Sequence, residues 1–476
     1  MALKLHNTLT GSKDPFEPLQ DGHVGMYTCG PTVWNFAHVG NLRAFLFYDL
    51  LRRHLQVAGN RVTQVMNLTD IDDRILDQAG HAGVTISEYT KPYEAAFFED
   101  MNALRAQRAE HYPRATEHTG DMIAMIATLI ERGNAYVSEG DVYFRIASFP
   151  RYGELSHLDR GGLRAGVRVA ADKYDKESVS DFALWKHAHP GDAELGAEWE
   201  APFGRGRPGW HIECSAMSKR YLGETLDIHA GGVDLMFPHH ENEIAQSEAA
   251  NQKTFARFWL HSEHLFDATG AKMSKSAGGF TTLRELVAAG HDPLAVRLFL
   301  IANAHYRSRL RLTDEALHAA SEQVRRLRDL GDRLQREEPG ADDPELIRRV
   351  EAARKAYREA LDDDLNLPLG VGLVFEVVRE ANAALDEGRV GERGRAELLS
   401  LLSDVDAHLD VLVADEPGLA DEVERMIAER EAARKAKDFA RADGIREELR
   451  SRGIALEDSK DGVRWKRVRP TSAERS

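Results

Sequence analysis

A strand, a helix and a second strand follow one another between residues 24 and 68, and that order commits the chain to a parallel sheet. Val24-Gly-Met-Tyr-Thr-Cys29 reads as a short buried strand, and Gly30-Pro31 breaks it. A helix is expected from about Asn41 to Ala58, where Leu42, Phe45, Leu46, Leu50 and Leu51 keep the helical period. Arg61-Val-Thr-Gln-Val-Met-Asn-Leu68, rich in β-formers, reads as the second strand. Ligands of such sheets bind beyond the carboxyl ends of the strands. Cys29 and the 30–41 loop are expected there.

The second informative region is Arg207-Pro-Gly-Trp-His-Ile-Glu-Cys214 with its sequel Phe237-Pro-His-His-Glu-Asn-Glu243. Pro238 suits the first position of a helix, where its missing N–H costs nothing. A helix starting there puts His239 and Glu243 at i and i+4, on one face. Thiolate, imidazole and carboxylate are all zinc ligands, and i,i+4 is the spacing by which a helix offers two of them. His240, at i,i+3 from Glu243, is a geometric rival to His239. The alternative is an acidic helix start that favours the macrodipole, beside a buried structural cysteine.

Cys29 and Cys214 are the only two cysteines in 476 residues. They make no disulfide framework and point to a reducing, cytoplasmic setting. No apolar run approaches the roughly 20 residues needed to span a bilayer, and the start lacks a signal peptide's apolar stretch. No membrane partner is therefore expected. A net charge of −16 argues against indiscriminate nucleic-acid binding. A local basic patch can still bind RNA, because phosphate attraction acts where the contact is.

Further along, residues 85–140 are expected to be helical, 141–205 mixed, and 210–300 strand and helix again. After about 312 come long amphipathic helices with breaks near Glu338-Pro-Gly and Ala414-Asp-Glu-Pro-Gly. The tail Gly462-Val-Arg-Trp-Lys-Arg-Val-Arg469 alternates basic and apolar residues around a tryptophan.

Two short motifs carry nucleotide chemistry. His38-Val-Gly-Asn41 stands at a helix start, whose free N–H groups attract phosphate. Gly40 lets a nucleotide approach the backbone, and His38 can donate to a phosphate oxygen. Lys272-Met-Ser-Lys275-Ser276, followed by Ala-Gly-Gly, can close over a triphosphate and stabilise charge developing at phosphorus.

Together these motifs resemble the two signatures of class I aminoacyl-tRNA synthetases, with Asn41 replacing the usual final histidine of the first. Within that class the chain is similar to the cysteinyl-tRNA synthetase family. The resemblance rests on Tyr27-Thr-Cys-Gly-Pro-Thr-Val33, Asn67-Leu-Thr-Asp-Ile-Asp-Asp73, Asp181-Phe-Ala-Leu-Trp-Lys186, Gly206–Met217 and Asp227–Gln246, and runs from Leu3 to Trp465. Trp34 stands where a tyrosine is common, and Ala230 replaces a glycine, which requires that φ there not be positive.

The resemblance implies an α/β fold. A class I Rossmann-type parallel-sheet catalytic domain with an insertion would be followed by an α-helical bundle and a small mixed α/β C-terminal domain. The divisions expected are 1–125 and 206–270 for the two catalytic halves, 126–205 for the insertion, and 271–312 for the signature-loop and stem-contact region. The bundle would be 313–412, marked by Asp362-Asp-Asp-Leu-Asn-Leu-Pro368, and the anticodon-recognition domain 418–476.

It implies ATP-dependent ligation of L-cysteine to tRNA(Cys) through a cysteinyl-adenylate. One zinc would be held by Cys29, Cys214, His239 and Glu243, with His239 favoured over His240. Zinc can expand to a fifth ligand, the substrate thiolate; serine's hydroxyl is a poor soft-metal ligand. Magnesium would accompany ATP. His38, Asn41, Lys272 and Lys275 would be catalytic, with His38, Gly40, Asn41 and Lys275 contacting ATP. Trp210, Thr69, His229 and Asp234 would bound the amino-acid pocket, with a core position the alternative for Trp210. Arg464, Trp465, Lys466, Arg467 and Arg469 offer charge and a stacking face to RNA. A monomer is expected. The alternatives are a ligase joining cysteine to an amino sugar, and a non-catalytic tRNA-binding relative. The first has no use for an anticodon-reading C-terminus. The second is expected to lose a signature lysine or histidine, and His38, Lys272 and Lys275 are all present.

Overall fold

Four parallel strands form the floor on which the rest of the larger unit is built: β1 (His23–Thr28), β2 (Arg61–Met66), β3 (Leu226–Gly232) and β4 (Ala256–Ser262). Their order across the sheet is β4-β3-β1-β2. Tyr27 lies opposite Val65 on one side and His229 on the other, and His229 lies opposite Trp259. The computed structural model describes residues 3–157, 181–270, 281–412, 425–430, 433–434, 438–451, 454–459 and 462–467. They divide into two units, Met1–Val411 and Leu412–Ser476.

Helix α1 (Val39–Val57) carries the chain from β1 to β2. It starts two residues earlier than the apolar period indicates, because the His38 ring accepts from Asn41 N and acts as the N-cap. The expected apolar positions Leu42, Phe45, Leu46, Leu50 and Leu51 are all buried. So are Arg43, Asp49, Arg52, Arg53 and His54, because α1 packs on the helical bundle as well as on the sheet. Asp49 sits between Arg53 (2.8 Å) and Arg297 (2.5 Å), the latter fully buried. Ionic groups this deep hold only while each has its partner.

The segment 85–140 is helical only in part. Helices span Ile86–Ala103 and Thr119–Glu131, but Ala135–Ser138 is a strand. Between the helices the chain runs beside β2, where Met66 N donates to His111 O and Leu68 N to Pro113 O. Sheet-edge pairing and a proline without an N–H exclude helix there. Ala135–Ser138 opens a four-stranded antiparallel sheet completed by Asp141–Phe144, Phe182–His187 and Gly206–Pro208.

That last strand leads directly into α2 (Trp210–Leu222). After β3 a short 3-10 turn spans Val233–Leu235, Phe237 is extended, and helical backbone resumes at Pro238, running into α3 (Glu241–Asn251). Ala230 is a strand residue without positive φ.

Beyond Thr313 the larger unit is helical over Asp314–Arg336, Pro344–Asp362, Leu367–Asp386 and Glu392–Leu409. In the first of these, Leu317, Ala320, Val324, Leu327, Leu330 and Leu334 recur every three or four residues and are buried. Thr313, Asp343 and Asn366 cap their helices with side-chain oxygens, and Pro344 follows its cap at once. The smaller unit contains a helix at Phe439–Ser451 and an antiparallel pair, Ile454–Ser459 with Gly462–Arg467. Among the described residues no helix is long and apolar enough to cross a membrane.

Candidate active site

The chain runs β1-α1-β2 toward one edge of the sheet and β3-α3-β4 toward the other. The reversal between β1 and β3 is the crevice where ligands of such sheets bind. Cys29 is the first residue past β1, and its N–H donates to Ala230 O on β3. Cys214 comes from the start of α2, His239 and Glu243 from the helical turns after β3. All four are buried, and one ligand atom from each lies within 4.8 Å of the others. His239 Nε2 is 3.1 Å from Glu243 Oε1.

The surrounding bonds orient these atoms. His239 Nδ1 is 2.9 Å from His211 Nδ1, so Nε2 is the nitrogen turned to the cluster. Glu243 Oε2 lies 2.8 Å from His229 Nε2, while Oε1 is buried and makes no hydrogen bond among the described residues. Two sulfurs, one nitrogen and one oxygen are thus left facing each other. Burial pushes the Cys29 thiol well above its ordinary range, and the Cys214 sulfur beside it adds to the effect. The Cys214 thiol and the Glu243 carboxyl are pushed up by burial too. Burial, with His211 and His229 alongside, drives His239 well below the ordinary histidine value.

Without a cation this cluster therefore favours neutral thiols and a protonated carboxyl. A divalent cation reverses that preference, and a donor set of two sulfurs, an imidazole and a carboxylate suits zinc. His240 is the rival here as in the sequence. Cys29, His229, His240 and Glu243 form a second group of the same kind, with His240 Nε2 3.3 Å from Cys29 Sγ. In it His229 is itself a ligand, whereas its Nε2 here lies 2.8 Å from Glu243 Oε2.

The cluster opens on a cavity of about 650 Å³ whose walls include Cys29, Cys214, His239, Thr69, Trp210 and Asp234, and also His38, Gly40 and Asn41. The amino-acid candidates Thr69, Trp210 and Asp234 and the nucleotide candidates His38, Gly40 and Asn41 thus share one cleft. Asn41 and His38 cap α1 reciprocally: Asn41 N donates to His38 Nδ1 at 3.2 Å, and His38 N to Asn41 Oδ1 at 3.3 Å. Gly40 is needed for this cap, since a Cβ there would meet the His38 ring at 2.9 Å. Gly30 likewise has no room for a side chain, its Cβ position falling 1.8 Å from Asn67 O.

Residues 15–322 match the family described as tRNA synthetases class I (C) catalytic domain, 356–412 the DALR domain, and 416–465 the cysteinyl-tRNA ligase anticodon binding domain. The cysteine–tRNA ligase of Solibacter usitatus (strain Ellin6076) is 48% identical over 472 residues, covering 98% of this chain and 100% of the relative. That of Leptospira interrogans serovar Lai is 44% identical, covering 98% and 99%. The chain belongs to the cysteinyl-tRNA synthetase family.

Its fold is that of class I synthetases more widely. Mycobacterium tuberculosis methionyl-tRNA synthetase, solved with methionyl-adenylate, superposes with a TM-score of 0.58 at 14% identity, over 82% of this chain and 90% of that one. The leucyl enzyme of Agrobacterium radiobacter K84, in ternary complex with tRNA and LeuAMS, gives 0.59 at 12%, over 83% and 85%.

The remaining family positions fall less simply. His229 is fully buried behind Glu243, one layer deeper than the cleft wall, because it sits mid-strand in β3. Trp210 is 37% exposed and stacks on His239 with ring centroids 4.3 Å apart, so it is a wall residue and not a core tryptophan. Thr69 Oγ1 donates to the buried Glu213 at 2.9 Å and accepts from Asn67 Nδ2 at 3.0 Å.

Lys272 and Lys275 lie outside the described residues, as does Arg469; of Arg464, Trp465, Lys466 and Arg467 only the backbone strand is described. His211 carries no role that its sequence context alone indicates. Its position directly after Trp210 is the one signal: if Trp210 lines the amino-acid pocket, its neighbour in the next helical position stands close by.

Proposed function

We propose that this enzyme activates L-cysteine with ATP and transfers it to the 3′ end of tRNA(Cys). One observation carries the reading: the Cys29–Cys214–His239–Glu243 cluster and the capped start of α1 face the same cleft. The cysteine carboxylate would attack the α-phosphorus of ATP and release pyrophosphate. The terminal ribose hydroxyl of the tRNA would then attack the acyl carbonyl and release AMP. Neither step needs a protein nucleophile, so the protein's part is positioning and charge stabilisation.

Cys29, Cys214, His239 and Glu243 would hold the zinc, with His211 and His229 fixing the orientation of the last two. Bound there, zinc supplies a soft cation that takes a thiolate and discriminates against serine's hydroxyl. A site built on one specific polar contact rejects the analogue lacking it by about 10⁴–10⁵. Trp210 would close the side-chain pocket, and Thr69 and Asp234 would bound it. The N-terminal amides of α1, with His38 and Asn41, would receive ATP phosphates, and Lys272 and Lys275 the pyrophosphate end. Magnesium would arrive with ATP.

Residues 313–412 are assigned to the tRNA-side bundle and 418–476 to anticodon recognition, supported by the family matches at 356–412 and 416–465. Pyrophosphate–ATP exchange tests the activation step. Exchange with cysteine, none with serine, and loss on zinc removal is the expected result. Exchange that survives zinc removal makes the metal structural, and no exchange in the zinc-loaded protein overturns the reading.

A further inference from the structure

Among the described residues, Phe36 and Trp210 are the only aromatic side chains within the group of exposed large apolar ones, at 38% and 37%. Both line the same cleft. Trp210 is accounted for by its stack on His239. Phe36 presents its ring to the same cleft, where it is open to stacking by a ligand.

Its surroundings specify that ligand. Phe36 is braced edge-on by Tyr93, with centroids 5.3 Å apart at 79°, and the Arg284 guanidinium lies 5.4 Å from its ring centre. Two residues away, Trp34 also lines the cleft, with the Arg74 guanidinium 5.2 Å from its ring. Tyr89 OH donates to Trp34 O at 3.0 Å, so helix Ile86–Ala103 supports both aromatic residues from behind. Arg74 is held in place by Asp72, and Arg284 by Glu99. Aromatic faces interleaved with anchored guanidinium groups are how proteins hold unpaired nucleobases, because every base has a π-face and a phosphate nearby.

Two nucleobases must enter this cleft if the proposed function holds: the adenine of ATP and the terminal base of the tRNA. Gly40, at the α1 start, faces Leu265, its Cβ position 3.8 Å from that of Leu265. The nucleotide-binding helix end is therefore walled by the segment after β4. Phe36 and Trp34 are backed by a different helix.

We propose that Phe36, with the Trp34–Arg74 pair beside it, is the stacking platform for the unpaired 3′-terminal nucleotide of the tRNA. This inference rests on the aminoacylation reading above. In it Phe36 is a positioning residue for the transfer step, bringing the terminal ribose hydroxyl to the acyl carbonyl.

The test uses full-length protein and tRNA carrying 2-aminopurine at its 3′ end, whose fluorescence falls on stacking. Quenching is expected with the wild type and with Phe36→Trp, and is expected to be lost with Phe36→Ala. Single-turnover transfer from preformed adenylate should fall about tenfold or more in Phe36→Ala and recover in Phe36→Trp, given the worth of one base stack. Pyrophosphate exchange, which involves no RNA, reads the parent function separately. Equal quenching and transfer in Phe36→Ala overturn the platform while the parent reading stands. A raised KM for ATP in exchange, with transfer unaffected, also overturns it, by assigning Phe36 to the adenine of ATP. Absence of exchange in the wild type removes both.

Discussion

His211 and His239 face each other Nδ1 to Nδ1 at 2.9 Å, so that one imidazole sets which nitrogen of the other is turned toward Glu243 and the two cysteines. Partners of this kind hold the tautomer and ring angle of a metal-binding histidine.

Replacing His211 by Ala is accordingly expected to weaken zinc retention about 10–100-fold while leaving the fold intact. Competition with a chromophoric chelator measures it. Zinc affinity equal to the wild type's would show that His239 needs no such support.

Cys214→Ser should remove the softest part of the donor set. The expected outcome is a metal content far below one zinc per chain, with cysteine-dependent exchange abolished. A variant that still binds cysteine and still rejects serine would sink the assignment of selectivity to this cluster.

Gly40→Ala places a methyl group 2.9 Å from the His38 ring and forces it off the α1 cap. Loss of an N-cap costs about 0.5–2 kcal/mol. A lower Tm together with a raised KM for ATP is expected, because the same N–H groups are the proposed phosphate site.

Asp49→Ala leaves Arg297 buried without its carboxylate. Breaking a buried pair from one side costs about 3–5 kcal/mol. Urea unfolding should show it, and Asp49→Ala combined with Arg297→Met should recover part of the loss.

Asp100 predicts a pH dependence. Burial raises its pKa from 3.8 to about 6, against the opposing pull of Arg284. Between those values the folded chain binds this proton and the unfolded chain does not. Its contribution to stability is therefore present in full below 3.8 and lost as the pH rises through about 6. Asp100→Asn should flatten that part of the stability profile and gain stability at pH 7 relative to the wild type. Parallel profiles for the two proteins would refute it.

Much of this was legible in the chain. The βαβ unit, the i,i+4 pair His239 and Glu243, and the helical period of Leu317 to Leu334 are local patterns, set by backbone geometry and side-chain spacing alone. The errors were local patterns overridden from outside. Residues 104–114 lost their helix to the edge of β2, and α1 began early because a histidine ring served as a cap.

The sequence by itself determined the βαβ unit, the amphipathic helices beyond Thr313 and the family to which the chain belongs. Only the tertiary structure decided what meets what. Cys29 and Cys214 are 185 positions apart and converge because β1 ends and α2 begins at the same crevice. His211 meets His239, and Glu243 meets His229, through contacts across 28 and 14 residues that no period encodes. The physical reason is that burial and hydrogen-bond partners belong to the packed arrangement of several elements. Spacing along one element fixes only which of its side chains share a face.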